Sequence, residues 1–96
     1  MPYIKNKDRE KFDESLQEIS NNILSMGDMN YCVSTIIAKY LEEVQRVEGS
    51  VGYYYYNQLI GVLECAKLEL YRRLAAPYED LKIDENGDVY DAIGWK

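Results

Sequence analysis

Apolar residues along this chain recur at intervals of three and four, and that period predicts helices. Phe12, Leu16, Ile19 and Ile23 share one face of a first helix over residues 6–26. Gly27-Asp28 is read as its stop, with Asp28 able to cap the next helix. A second helix over residues 29–47 carries Val33, Ile37, Tyr40, Leu41, Val44 and Val47 as its main stripe. Cys32 and Ile36 widen that stripe, while Lys39, Glu42, Glu43 and Arg46 face water. Residues 48–52, which include Gly49 and Gly52, break the pattern.

The third helix is expected over residues 53–76 and is the longest. Tyr56, Leu59, Ile60, Leu63, Leu70 and Leu74 mark one face, and Gly61, Cys65 and Leu68 lie opposite. A helix apolar on two sides packs against two things. Gly61 within a helix costs about 1 kcal/mol relative to alanine, which points to a close packing contact. The helix is expected to stop at Ala76, because Pro77 disfavours helical geometry in the residue before it. Residues 78–96 are expected as an extended tail or a short β-hairpin, turning at Asn86-Gly87 between Ile83 and Val89. The expected fold is therefore all-α: one small domain over residues 1–96, with three helices, a long third helix and a C-terminal hairpin or tail.

Composition narrows the function more than it names one. A 96-residue chain that is 47% apolar is globular, yet it is small enough to be marginal alone, so a homo-oligomer is expected. The net charge of −6 is uneven: residues 1–11 carry +2, 12–50 carry −5, 51–77 carry +1 and 78–96 carry −4. An acidic body argues against duplex DNA or an anionic membrane as partner. No apolar run approaches the roughly 20 residues that span a bilayer, and no apolar segment follows the early lysines as in a signal peptide. Cytoplasmic location is the expectation. It leaves Cys32 and Cys65 reduced, although an antiparallel pairing of the second and third helices would bring residue 32 level with residue 67.

Catalytic and metal chemistry find little to use. The chain has no histidine, and its two cysteines lack metal-ligand spacing. In Asp84-Glu85-Asn86-Gly87-Asp88 the glycine is fourth rather than sixth, and the twelfth position is Trp95 rather than glutamate, so a calcium loop is not expected. Glu64 and Glu69 are separated by about 140° around a helix and do not converge. They suit ion pairs with Lys67 and Arg72 instead. No enzyme, cofactor or metal is expected.

What the chain concentrates is rings and guanidiniums. Tyr53, Tyr54, Tyr55 and Tyr56 occupy all sides of one helical turn, more rings than one core can take. Lys67, Arg72 and Arg73 either complement the end of the helix or clamp an anion. A nucleotide would use both surpluses, its phosphate on Lys67, Arg72 and Arg73 and its base on Tyr53, Tyr54 or Tyr55. Tyr56, Gly61, Cys65 and Leu68 are the candidate oligomer interface.

One resemblance adds to this. Ile60-Gly61, Leu63-Glu64, Lys67-Leu68-Glu69 and Tyr71-Arg72-Arg73 are followed by Pro77-Tyr78-Glu79-Asp80, Lys82 and Glu85-Asn86-Gly87-Asp88-Val89-Tyr90. With Met1-Pro2-Tyr3-Ile4-Lys5 and Gly27-Asp28-Met29-Asn30-Tyr31, this pattern resembles a family of short uncharacterised proteins of phages and prokaryotes. The chain departs from the pattern after Tyr31 and in the tyrosine run before Asn57. The resemblance implies no activity. By analogy of size and setting, it suggests a phage-type binding protein that sequesters a cyclic nucleotide-like immune signal at a subunit interface. The alternative is a protein–protein inhibitor or structural accessory that meets a host protein through acidic and tyrosine-rich surface.

Overall fold

The computed structural model describes residues 2–93, and every described element is helical. α1 spans Asn6–Asn22, α2 Met26–Glu48, α3 Tyr53–Leu70 and α4 Ala76–Asn86. A π-helical turn, Tyr71–Ala75, joins α3 to α4, and a 3-10 turn, Asp91–Ile93, follows. By internal contacts the chain divides into residues 1–61 and residues 62–96, with the boundary falling inside α3. All-α is confirmed. Several expected boundaries are not.

α1 ends at Asn22 rather than at residue 26, and Gly27-Asp28 does not close it. The reason is a reciprocal cap. Ser25 Oγ accepts a hydrogen bond from the Asp28 amide at 3.0 Å, and the Asp28 carboxylate accepts one from the Leu24 amide at 2.9 Å. That pair starts α2 at Met26 and takes Gly27 and Asp28 into its first turn. Ile23, in extended geometry, becomes the link. The far end of α2 falls where expected. Gly49 adopts φ +88°, a left-handed conformation open to glycine, and its amide bonds to Gln45 O at 2.8 Å.

Pro77 does not stop the third helix. A proline inside an α-helix lacks the N–H that would bond four residues back, and its ring strikes that carbonyl. The π-helical turn resolves both problems by widening the spiral just before the ring. The Ala76 amide bonds to Tyr71 O, five residues back. Helix then continues to Asn86, where Gly87 at φ +96° ends it and its amide bonds to Ile83 O at 2.9 Å. The expected hairpin is thereby corrected. Asn86-Gly87 is a helix terminus, and no strand is present among the described residues. Extending an existing helix avoids the cost of a new nucleus, whereas a lone hairpin is marginal in water. Residues 94–96 of the expected tail lie outside the described residues.

Within the 1–61 unit the best-packed place is the α2–α3 corner. Val44 is the one buried apolar residue among those described, at 7% exposure. Leu41, Val51, Tyr55 and Leu59 are half-buried around the same turn of chain. The Tyr55 ring lies 6.4 Å from Tyr40 between centroids and edge-on to Tyr54 at 5.3 Å, and its hydroxyl donates to the Glu48 carboxylate. The α1 stripe of Phe12, Leu16 and Ile19 is exposed.

Two substitutions test these local readings by urea unfolding. Ser25→Ala removes an N-cap and should cost about 1 kcal/mol. A Cβ at Gly61 meets nothing within 4 Å among the described residues, so they supply no close contact there. Gly61→Ala should therefore stabilise by about 1 kcal/mol.

Candidate functional site

The tyrosine turn divides by role. Tyr53 and Tyr54, at 75% and 66% exposure, present rings on the first turn of α3. Tyr56 is exposed beside them. Tyr55 is not available in the same way, because it is half-buried and its hydroxyl is committed to Glu48. That hydrogen bond, the partial burial and the charge of Glu48 all disfavour a phenolate, and they push the Tyr55 pKa up to about 12. Of the three tyrosines expected to stack on a ligand, two are presented and one ties α2 to α3.

The basic residues sit in the 62–96 unit and are largely spoken for. Lys67 Nζ pairs with Glu64 at 2.9 Å and Arg72 with Glu69 at 2.7 Å, both one turn apart on the same helix. These are the i, i+3 pairs that the spacing predicts. Arg73 has no ion pair among the described residues. The π-helical turn also brings the Tyr71 hydroxyl to the Glu79 carboxylate at 3.1 Å, which raises the Tyr71 pKa, the hydrogen bond first and the carboxylate charge second. Cys65 and Leu68, the other candidate interface residues, are exposed. Both cysteines are free. Among the described residues no cluster of three metal-ligating side chains occurs, and no helix is long and apolar enough to cross a membrane.

A concavity lies elsewhere, between α1 and α2. Its first part, of about 420 Å³, is lined by Ile19, Ile23, Tyr31 and Cys32, with Glu18 and Asp28 at the rim. A second part, of about 310 Å³, shares Ile19, Tyr31 and Cys32 and continues over Thr35 and Ile36 to Lys39. The two form one open apolar trough with acid at one end and a lysine at the other. It lies where the Ser25–Asp28 cap turns the chain at Leu24 between the two helices that line it. Its signal in the sequence is the stripe on the second helix, which Cys32 and Ile36 make wider than one neighbouring helix requires. A third hollow, of about 290 Å³, lies between the first residues and α1, lined by Tyr3, Ile4, Phe12 and Leu16. Chemically these surfaces offer apolar area and rings.

The Tyr55–Glu48 bond has a pH signature. The folded chain holds the Tyr55 phenol neutral beyond the ordinary value near 10. The stability it contributes is thus complete below about pH 10 and is lost as pH rises through about 12. Phenolate absorbance should show a component near pH 12 that vanishes in Tyr55→Phe and moves toward 10 in Glu48→Gln. The same component persisting in Tyr55→Phe would assign it to another ring.

No curated protein and no solved structure matches the chain. A family model described as Domain of unknown function (DUF6899) matches residues 1–89, and the chain belongs to that family.

Proposed function

We propose that this protein is a non-catalytic binding protein that acts by protein–protein contact through apolar, tyrosine-bearing helical faces. The observation that carries this reading is the exposure of large apolar side chains on well-formed helices. Tyr53 and Tyr54 are each more than half exposed, while Val44 alone is buried among the described residues. Contiguous exposed rings and aliphatic side chains mark interaction surfaces, and tyrosine is favoured there because it gives large contact area at low entropic cost. A host protein bound and inhibited, in the phage-type setting that the sequence pattern suggests, is the partner this reading favours. The protein would then act in the cytoplasm of the cell that holds that partner.

Capture of a cyclic nucleotide-like signal at a subunit interface is the second reading. Exposed Tyr53 and Tyr54 favour it, as does Arg73, which has no ion pair among the described residues. It ranks second because Lys67 and Arg72 already face Glu64 and Glu69. A phosphate would have to displace those carboxylates.

The two readings separate in a single comparison. A tagged chain is used to recover partners from a host lysate, and the same chain is titrated calorimetrically with cyclic mono-, di- and trinucleotides. The expected result is recovery of one protein that Tyr53→Ser and Tyr54→Ser abolish and Arg73→Ala does not, with no heat from any nucleotide. Nucleotide binding that Arg73→Ala removes would overturn it in favour of the second reading.

A further inference from the structure

We infer that the α1–α2 trough is the interface between two copies of this chain, packed about a twofold axis so that each copy's trough takes the other's rim. This interface is separate from the Tyr53–Tyr54 surface and does not depend on what that surface binds.

Three observations point to a second copy rather than another occupant. The first is area. The chain leaves 8688 Å² accessible, whereas a folded chain of 11.2 kDa exposes about 5,700 Å². Permanent homodimers bury upwards of about 2,000 Å² in total, or about 1,000 Å² from each copy. The excess belongs to the chain as a whole, and the α1–α2 trough contributes to it, with Tyr31 and Ile36 more than half exposed along it.

The second is charge. Glu18 and Asp28 mark one end of the trough and Lys39 the other, with Ile19, Tyr31 and Cys32 between them. A twofold axis through the middle sets the acidic end of each copy against the lysine end of its mate, twice over. An isologous contact needs this self-complementarity. The pairing of Lys39 with Glu42 within the chain is long, at 3.5 Å, and exposed on both sides, so it does not hold the lysine back.

The third is the lining. Between its charged ends the trough is apolar, and Tyr31 stands beside it at 71% exposure. A ring of that size next to an apolar hollow is a knob for an equivalent hollow on another copy.

The twofold arrangement places both Cys32 thiols near the axis, which gives the test a reporter. In a Cys65→Ser chain, sedimentation at micromolar concentration should give a dimer, and a short bis-maleimide should join its two halves through Cys32. Lys39→Glu should weaken the dimer about tenfold, because it sets like charges together at both ends. Adding Glu18→Lys to that chain should restore the affinity, a recovery that a folding defect would not show. A monomer at micromolar concentration would overturn the inference. So would a dimer that cross-links through Cys65 in a Cys32→Ser chain but not through Cys32, or one indifferent to Lys39→Glu.

Discussion

An amphipathic helix is stable in water only when something covers its apolar stripe. Isolated helices of this length are marginal on backbone hydrogen bonds alone, and tertiary packing supplies most of what holds them. Here the stripes are well formed and the cover within each unit is slight. Phe12, Leu16 and Ile19 on α1 remain exposed, and burial concentrates at the one corner where Val44 and Tyr55 meet the α2–α3 turn. Some helical termini, by contrast, are well closed. Ser25 and Asp28 cap α2, Gly49 closes it and Gly87 closes α4. A chain that caps both ends of α2 yet leaves its stripes open makes structural sense if the missing cover comes from other molecules.

How much of this could be read from residues alone varies by element. The α2 and α3 boundaries around residues 48–53 were legible, because a left-handed glycine after a periodic stripe has few other uses. The α1–α2 junction lies a few residues before the one that Gly27-Asp28 marks. Gly27-Asp28 carries a stop signal, and Ser25 carries a start signal two residues earlier. The start won because its hydrogen bonds are reciprocal with Leu24 and Asp28. At Pro77 the local rule was sound and its conclusion was not. Proline does forbid a regular α-turn, but a π-helical turn accommodates it and the nucleus of α3 is already in place. The same continuity overrode Asn86-Gly87, whose turn propensity ends a helix as readily as it makes a hairpin.

The candidate site was legible as composition and not as geometry. Four adjacent tyrosines announce surplus rings, yet the sequence does not say which ring is structural. Tyr55 is set apart by its reach to Glu48, seven residues back across the α2–α3 turn. Likewise, the spacing of Glu64 with Lys67 and of Glu69 with Arg72 allowed both a local pair and a free cation for a ligand. The local pairs formed. Both cations are exposed and such pairs are worth little to stability, but they lower the local positive field that an anion would find. The trough is legible only in part: Cys32 and Ile36 widen the stripe on the second helix, but where that stripe meets the first helix is set by the chain turn at Ser25 and Asp28, which neither stripe encodes.

The two kinds of surplus on this chain therefore differ in how far the chain itself absorbs them. Two of the three cations that a ligand could use are answered one helical turn away, by carboxylates that the i, i+3 spacing puts there whatever the tertiary fold. Apolar area has no such local remedy. A ring or an aliphatic side chain on a helix can be covered only by another element or another molecule, and residues three and four away lie on the same uncovered face. Tyr31, Tyr53, Tyr54 and Ile36 are all left in that condition. The free energy still available for binding thus resides in the apolar faces rather than in the basic residues. That ordering places contact with a protein surface, whether a second copy or another partner, ahead of capture of a small anion.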